Sequence, residues 1–353
     1  MMSAGRTIAV AMSGGVDSSV AAALLVESGE QVFGLMLRLW SAGAERPNRC
    51  CSPKDVSNAR KVAGRLGIPF YVIDAKDEFK HRVVDGFIGG YEAGLTPNPC
   101  LSCNRDIRWG LLLERASALG ATHLATGHYA RLRKTNGHYR LFRARDRRKD
   151  QSYVLSVLGQ SQLAHTLFPL GILRKEEVRE IAQDQGFVTA DRPESQDLCF
   201  LGGDDYRSFL ADHLVATPGA IEDNQGNLLA NHSGLSNFTI GQRKGIGISG
   251  PAPLYVIDKD LERNTLIVGP KADLGRTQFT VRELNWVLGD FPAESTELSV
   301  QVRYRSPDVP ARLDHRKHKT IVATDKPLNN VAPGQAAVFY RGEECLGGGI
   351  ISR

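Results

Sequence analysis

The stretch that decides the fold is TIAVAMSGGVDSSVAAALLVESG, residues 7–29 of a chain of 353 residues. Its apolar start is typical of a buried strand, and the alanine-rich run after Asp17 is typical of a helix that ends at Gly29. Between them stand Gly14 and Gly15, with Asp17 at the position expected for a helix N-cap. Such a turn brings backbone N–H groups and the positive end of the helix dipole together. The stretch therefore predicts an anion-binding loop at the edge of an α/β sheet.

The same alternation of strand and helix continues along the chain. Further strands are predicted at 31–40, 68–74 and 122–130, and further helices at 55–67 and 107–120. Strands that alternate with helices of this length are typical of a parallel sheet. The N-terminal part is therefore predicted to be an α/β domain built on a doubly wound parallel sheet.

An alternating polar and apolar pattern replaces the helical one in two places. Residues 130–144 alternate around Asn136 and Gly137, which predicts a β-hairpin with a two-residue turn. Beyond residue 207 short alternating runs and glycines dominate, and the tail is typical of a small β-barrel. The domains predicted from these changes are an α/β catalytic domain at 1–206, a small central domain at 207–277 and a C-terminal β-barrel at 278–353.

The composition is that of an ordinary soluble protein, with 42% hydrophobic and 24% charged residues. The N-terminus has no apolar stretch followed by a cleavage site, and no run reaches the ~18 apolar residues that a membrane span needs. We therefore expect a cytoplasmic protein without a membrane partner, with a monomer as the default.

The net charge of +5 is unevenly distributed. Residues 131–149 contain nine Lys or Arg and a single acid, Asp146, and a second basic group lies at 303–319. Because Tyr139, Phe142 and Tyr304 are interleaved with these charges, we interpret them as a surface for a nucleic acid rather than an ordinary solvated face.

The loop at residues 11–19 suits a nucleotide. Gly14 and Gly15 let the backbone approach phosphate oxygens, three serines supply hydroxyl groups, and Asp17 could hold Mg²⁺ or cap the helix. No lysine follows the glycines, so this is not a Walker A loop, and it suits a nucleotide cleaved between its α and β phosphates. A second glycine-rich match at 245–250 follows no strand and precedes no helix, so we interpret it as a loop.

Six cysteines in such a chain indicate catalysis or metal binding rather than a disulfide framework. Cys100 and Cys103 lie in TPNPCLSCN, in a turn before a helix predicted to begin near Ile107, where a thiol pKa is lowered. Cys199 lies on a predicted loop and is the third candidate. Cys345 is predicted to be a packed core residue.

Two schemes for these thiols stay open. In the first, one thiol carries a transferable sulfur as a persulfide and another resolves it, leaving a disulfide. In the second, Cys100, Cys103 and Cys199 hold an iron–sulfur cluster with one open iron site. Structural zinc is disfavoured because Cys50 and Cys51 cannot supply a normal partner pair, and no role is assigned to those two.

SGGVDSS resembles the signature of the PP-loop ATP pyrophosphatases, which adenylate a carbonyl oxygen and let a nucleophile displace AMP. The whole chain resembles one branch of them, the tRNA-uridine 2-sulfurtransferases or tRNA-specific 2-thiouridylases. The motifs that carry this resemblance occur in the family's order: SGGVDSS, TPNPCLSCN, ATGHYA, KDQSYVL, SQDLCF, GQRKGIGI, VRYR, APGQAAVFY and CLGGGII. The resemblance implies conversion of the wobble uridine of tRNA (position 34) to 2-thiouridine, with ATP, Mg²⁺ and a persulfide sulfur relayed from a cysteine desulfurase or a sulfur-relay protein.

The resemblance also implies roles for particular residues. Cys199 would carry the persulfide and Cys103 would be the nucleophile that releases the sulfur, with a Cys103–Cys199 disulfide formed afterwards. The residues that would bind ATP are Ala11, Met12, Ser13, Gly14, Gly15, Val16, Asp17, Ser18, Leu37 and Gly127. Those that would face the target base or contact tRNA are Asn98, Pro99, Cys100, Lys149, Asp150, Gln151, Arg303 and Tyr304.

At one position the chain departs from the family pattern. The best-known members carry an aspartate where Cys100 stands, with a presumed role in proton handling. His128 is a second proton acceptor to consider, although a single histidine at a strand end is more often structural. Two other functions stay open, a PP-loop amide ligase for a small molecule and an RNA-binding protein that uses ATP only as a conformational ligand; the basic hairpin, the barrel and the clustered thiols disfavour them.

Overall fold

The computed structural model describes residues 6–40, 52–192, 198–202, 205–248, 252–292, 297–316 and 319–353. Cys50 and Cys51 lie outside these residues. In chain order the strands are β1 Thr7–Ala11, β2 Gln31–Arg38, β3 Phe70–Asp74, β4 His123–Thr126, β5 Ala130–Thr135, β6 His138–Arg143, β7 Thr166–Leu167, β8 Gly219–Asp223, β9 Leu228–His232, β10 Tyr255–Asp260, β11 Thr265–Gly269, β12 Arg276–Trp286, β13 Leu298–Gln301, β14 Val309–Arg316, β15 Lys319–Leu328, β16 Ala336–Arg341 and β17 Glu344–Ile351.

Two of the helices contain π-helical segments. Helix α3 runs through Lys76–Phe79, the π-helical Lys80–Val84 and Asp85–Glu92, and α4 through Pro99–Ser102, the π-helical Cys103–Leu112 and Leu113–Ala118. The remaining α-helices are α1 Val16–Glu27, α2 Pro53–Leu66, α5 Ser152–Leu155, α6 Gln160–Leu163, α7 Lys175–Asp184 and α8 Tyr206–Ala211, and short 3₁₀ helices lie at Cys199–Leu201, Leu235–Asn237 and Lys271–Leu274. Cys199 therefore begins a 3₁₀ helix and does not lie in the predicted loop. Within the described residues, no helix is both long and apolar enough to cross a membrane.

The N-terminal sheet has five parallel strands in the order β3-β2-β1-β4-β7. Alternate residues of the central strand serve two cores: Ile8 and Val10 pack with helices α1, α2 and α7, whereas Ala9 packs with helix α4. Covered on both faces, the strand reads as a continuous apolar run. The predicted doubly wound parallel sheet is confirmed.

The predicted start of the cysteine helix is wrong. Helix α4 begins at Pro99, eight residues before Ile107, because Asn98 caps it and proline suits the first helical position. The Asn98 side chain accepts a hydrogen bond from the Cys100 backbone N–H at 3.1 Å. Cys100 and Cys103 therefore lie in the first turns of a helix rather than in a turn before it.

The hairpin is confirmed, and its partner is a finding of the structure. Asn136 and Gly137 have positive φ values of 52° and 82°, as its tight turn requires. Strand β6 then pairs with β17 and joins the hairpin to the C-terminal sheet.

The C-terminal sheet closes into a six-stranded barrel in the order β12-β15-β14-β13-β16-β17, with β12 also paired to β17. This confirms the predicted barrel. The strands that precede the barrel in the chain, β8 to β11, form a separate four-stranded sheet in the order β10-β11-β8-β9. The domain boundaries at 206 and 277 stay predictions.

Candidate active site

The glycine loop joins the end of β1 to the start of α1 at the carboxyl edge of the parallel sheet. Gly14 has a φ of +69°, and a Cβ there would lie 2.4 Å from the backbone oxygen of Asp55. Ser18 Oγ accepts a hydrogen bond from the Ser13 N–H at 3.1 Å and donates to the Gly15 carbonyl at 3.2 Å. The loop is thus held tightly against α2, with glycine required at its closest approach.

Asp17 is not the N-cap of α1, which corrects one of its two predicted roles. Gly15 occupies the cap position, and no side chain caps the helix. Instead Asp17 Oδ1 accepts hydrogen bonds at 2.7 Å from both the Tyr129 hydroxyl and Lys175 Nζ. The Asp17 carboxylate therefore binds two donors from distant segments of the chain, which hold it beside the loop, and it makes no capping hydrogen bond.

Lys175 is a site residue that the sequence analysis missed. It is the first residue of α7, its side chain is 6% exposed, and its ion pair with Asp17 spans 158 positions of sequence. A Walker A loop carries its lysine next to the glycines, whereas here the fold brings one from elsewhere. No local pattern distinguishes this lysine from those on exposed helix starts.

Arg192 is a second missed residue. Its guanidinium donates to the Gly14 carbonyl at 2.7 Å and forms an ion pair with Asp55, whose side chain is buried. Asp55 in turn forms a reciprocal capping box with Ser52 at the start of α2. The segment around Arg192 therefore fastens the glycine loop to α2.

The two other predicted nucleotide contacts lie at the same sheet edge. Gly127 follows β4, and a Cβ there would lie 2.8 Å from the Ser18 backbone nitrogen, so glycine lets this turn reach the start of α1. Leu37 lies near the end of β2 and packs between two apolar clusters. Strands β2 and β4 flank β1 on opposite sides, and a crevice at such a point is where open α/β sheets bind ligands.

The cysteines divide into groups that the sequence did not separate. Cys103 and Cys199, both half-buried, pack against one apolar cluster built around Phe87, Phe200 and Phe209. Cys100 is exposed on the first turn of α4. All four cysteines in the described residues are thiols.

An iron–sulfur cluster does not fit the thiols as they are arranged. Within the described residues, no three Cys, His, Asp or Glu side chains come close enough together to hold a metal ion. Cys100, Cys103 and Cys199 therefore do not form a three-ligand set, because Cys100 faces solvent while the other two border the apolar cluster.

Cys345 and His128 are structural. Cys345 is buried in the core between the hairpin and the barrel, and burial raises the pKa of its thiol to about 12, as its predicted core role requires. His128 Nδ1 lies 2.7 Å from Thr126 Oγ1, and its ring packs against Trp109. Burial, together with the charge of Arg108, holds the pKa of His128 well below its ordinary value, so the ring stays neutral.

A basic groove of about 760 Å³ lies between helix α7 and the barrel residues 301–306. Its lining includes Lys175, which also touches the glycine loop through Asp17, and three of the predicted RNA contacts. The charged and aromatic residues that line it are Arg143, Arg147, Arg148, Lys149, Asp150, Tyr153, Lys175, Glu176, Arg179, Tyr304 and Arg305. The excess of positive side chains favours an anionic ligand.

Two predicted RNA contacts also serve as internal supports. Asp150 accepts hydrogen bonds from the Ala144 N–H at 2.8 Å and the Ser152 hydroxyl at 2.8 Å. Gln151 Oε1 accepts one from the Tyr129 N–H at 3.0 Å, which orients the tyrosine that holds Asp17. Arg303, by contrast, is exposed.

Fewer positive charges of the basic stretch at 131–149 are unpaired than the sequence indicates. Six of its arginines pair with five acids, three of which come from the distant C-terminal part of the chain. These pairs are Arg131–Glu343, Arg140–Glu344, Arg143–Asp308, Arg145–Glu177, Arg147–Glu343 and Arg148–Glu176. These ion pairs therefore connect the hairpin to the barrel and connect the residues that follow the hairpin to the barrel and to α7.

Comparison with known proteins covers the whole chain. Family models match residues 6–203 as a tRNA methyl transferase HUP domain, 207–270 as a tRNA methyl transferase PRC-barrel domain and 276–351 as an aminomethyltransferase β-barrel domain. A tRNA-specific 2-thiouridylase MnmA of Chloroflexus aurantiacus is 48% identical over 98% of both chains. The chain belongs to the tRNA-specific 2-thiouridylase family.

Other relatives with that name are nearly as similar. The 2-thiouridylase of Moorella thermoacetica is 46% identical over 97% of this chain and 98% of its own, and that of Roseiflexus castenholzii is 45% identical over 98% and 99%. Among solved structures, a 4-thiouridine synthetase–RNA complex with bound ATP covers 59% of this chain and 50% of its own at 16% identity with a TM-score of 0.39, too low to support a conclusion. Membership of the 2-thiouridylase family rests on the full-length relatives.

Proposed function

We propose that this protein is an ATP-dependent enzyme that converts the wobble uridine of tRNA, position 34, to 2-thiouridine. ATP adenylates the uridine O2 and releases pyrophosphate. A persulfide sulfur then attacks C2, and AMP leaves. The observation that carries the proposal is the placement of Cys103 and Cys199 against one apolar cluster, in a chain whose β1–α1 turn is glycine-rich and packs closely against α2. Such a turn at a helix N-terminus suits phosphate groups.

ATP is proposed to lie along the carboxyl edge of the parallel sheet. The loop residues Ala11 to Ser18 surround the phosphates, and Leu37 and Gly127 flank the adenosine. Asp17 supplies a carboxylate beside the loop, the kind of ligand that Mg²⁺ prefers, and Mg²⁺ there would offset phosphate charge. Lys175 Nζ, held at 2.7 Å from this carboxylate, supplies a cation for the leaving pyrophosphate.

The anticodon loop is proposed to enter through the basic groove. Lys149, Asp150 and Tyr304 line the groove, Gln151 follows them in the chain, and Arg303 is exposed beside Tyr304. A uridine inside a stacked anticodon must be turned out of the stack before its C2 can react. The flipped base is proposed to meet Asn98, Pro99 and Cys100 at the start of α4.

The two half-buried thiols are proposed to divide the sulfur chemistry. The terminal sulfur of a Cys199 persulfide bonds to C2 while the C2–O bond to AMP breaks. The Cys103 thiolate then attacks the Cys199 sulfur, the bond between the two persulfide sulfurs breaks, and 2-thiouridine is freed. This leaves a Cys103–Cys199 disulfide, which a thiol reductant must open before the next turnover.

The persulfide itself must come from another protein. We propose a cysteine desulfurase or a sulfur-relay protein as the donor, and a cytoplasmic monomer as the working form of this enzyme. We leave an iron–sulfur cluster out of the proposed mechanism because, among the residues that the structure describes, Cys100, Cys103 and Cys199 do not form a ligand set.

Sulfur transfer explains the residues better than methyl transfer, which two of the matching family descriptions mention. A phosphate loop and two thiols on one cluster suit activation of an oxygen followed by nucleophilic sulfur. An amide ligase for a small molecule would need neither the basic groove nor the barrel.

Transfer RNA from a strain that lacks its own 2-thiouridylase tests the proposal. When this protein is expressed there, mercury-containing gels should show the retarded band of thiolated tRNA. The Cys103→Ser and Cys199→Ser variants should show no such band although the proteins still bind ATP and tRNA. An unretarded tRNA with the unaltered protein would refute the proposal.

A further inference from the structure

The segment before the cysteine helix is held by the C-terminal barrel. The Thr96 backbone N–H donates to the Pro333 carbonyl at 2.8 Å, and Gln335 Nε2 donates to the Thr96 carbonyl at 2.7 Å. Thr96 therefore has both its backbone polar groups satisfied by the 332–335 loop, which is more than 230 positions away in the chain.

The packing around these hydrogen bonds is close. Gly334 has a φ of +92°, and a Cβ there would lie 2.9 Å from the Thr96 nitrogen and 3.0 Å from Leu95 Cβ. Pro97 packs on Gly90 of α3, where a Cβ would lie 2.7 Å from the proline ring. The segment is thus fixed on two sides, by the barrel and by α3.

The barrel loop is itself anchored. The Gly334 N–H donates to the Ile351 carbonyl at 2.9 Å, and the Ile351 N–H donates to the Gln335 carbonyl at 2.8 Å. Because Ile351 ends β17, a continuous set of hydrogen bonds links the last barrel strand to Thr96. Asn98, two residues after Thr96, caps the helix that carries Cys100 and Cys103.

We propose that Gln335 is a positioning residue for sulfur transfer: by holding the Thr96 carbonyl it fixes the first turn of α4, and with it the alignment of Cys103. The inference rests on the proposed function and extends it to the APGQ motif, to which the mechanism assigns no role. Gln335 does not touch the phosphate loop, so ATP binding does not depend on it. Because the flipped base is proposed to meet the same turn of α4, adenylation slows slightly when Gln335 is lost, and sulfur transfer, which needs Cys103 in line, slows more. A misaligned α4 gives water time to attack the adenylated uridine, which restores uridine and releases AMP without forming 2-thiouridine.

The test compares pyrophosphate release with 2-thiouridine formation in the purified full-length protein. Gln335→Met keeps the side-chain length and removes the donor, whereas Gln335→Lys keeps a donor. Gln278→Met, on an exposed position of β12 in the same barrel, is the matched control. Gln335→Met should form 2-thiouridine about tenfold more slowly, since small misplacements of reacting groups have effects of this order or larger.

The decisive readout is the coupling between the two reactions, measured as the amount of 2-thiouridine formed for each pyrophosphate released. In Gln335→Met, the rate of pyrophosphate release and the affinity for tRNA should stay within about threefold of those of the unaltered protein. This change is smaller than the roughly tenfold slowing expected for 2-thiouridine formation when Cys103 is misaligned. Gln335→Lys should recover most of the coupling, and Gln278→Met should not lose it. A parallel fall of both products, or full coupling in Gln335→Met, would overturn the inference. If instead the unaltered protein makes no 2-thiouridine, the proposed function itself fails, which is a separate outcome.

Discussion

Asp17, in the first turn of α1 beside the glycine loop, and Lys175 at the start of α7 meet at 2.7 Å, although 158 positions separate them. The Tyr129 hydroxyl binds the same carboxylate oxygen, and the Lys175 ammonium lies 5.8 Å from the Tyr129 ring centre. The loop thus obtains from the fold the positive charge that its own sequence lacks. This relation makes α7 part of the proposed nucleotide site.

Replacing Lys175 by Met should slow pyrophosphate release by roughly 100-fold, the scale measured when one group that stabilises a developing charge is removed. A pyrophosphate assay with saturating tRNA measures it. Lys54→Met, on an exposed position of α2, is the matched control and should leave the rate unchanged. Equal rates for Lys175→Met and the unaltered protein would show that this lysine only neutralises Asp17.

Arg192→Gln should weaken ATP binding and lower the free energy of unfolding by about 1–3 kcal/mol, because the buried Asp55 carboxylate loses its charged partner. Urea unfolding measures the stability, and nucleotide titration measures the affinity. The double variant Asp55→Asn/Arg192→Gln should regain part of the stability but not the affinity, since the bond to the Gly14 carbonyl stays lost. Recovery of both would argue against a role for Arg192 in fastening the loop.

His128 should make the protein less stable in acid. Its pKa is lowered by burial in the folded state, so below the ordinary value of 6.5 the unfolded chain takes up a proton that the folded chain does not. The free energy of unfolding therefore falls as the pH drops through this window, by up to about 1.4 kcal/mol per pH unit for this group.

Urea titrations between pH 5 and 7 measure this slope. The range lies within ~1.5 pH units of the pKa of an ordinary histidine. His128→Asn should flatten it, whereas His138→Asn, on an exposed position of the hairpin, should not. An unchanged slope in His128→Asn would assign the acid sensitivity to other groups.

Cys100→Ser should still form 2-thiouridine, because serine keeps a small polar side chain at the proposed base contact, and Cys100 does not share the cluster that Cys103 and Cys199 border. Protein purified without oxygen should contain no stoichiometric iron or sulfide by colorimetric analysis. Loss of thiolation in Cys100→Ser together with loss of bound iron would instead support the three-cysteine cluster.

The sequence was sufficient for features that depend on local pattern. The glycine loop, the parallel sheet, the Asn136-Gly137 hairpin and the barrel follow from apolar periodicity and turn residues, and the structure has all of them. The start of α4 was misplaced because Asn98 and Pro99 read as a turn, although the same pair is a cap followed by a first helical residue.

Features that depend on tertiary contacts could not be read from the sequence. Lys175, Arg192 and Gln335 contact residues more than 130 positions away, and nothing in their own neighbourhood indicates which residues those are. Acids as distant as Glu343 likewise pair with arginines of the hairpin, so a count of local charges overstated its basic character. Only the fold shows which charges meet.

A single-turnover experiment tests the central claim most directly. The protein is loaded with ³⁵S-persulfide on Cys199, separated from the donor and mixed with ATP and unmodified tRNA, and the ³⁵S in digested nucleosides is compared with the AMP released. The account predicts ³⁵S in 2-thiouridine in a one-to-one ratio with AMP, and none from the Cys103→Ser protein. Label that stays on the protein while AMP is released, or 2-thiouridine that carries no label, would contradict it.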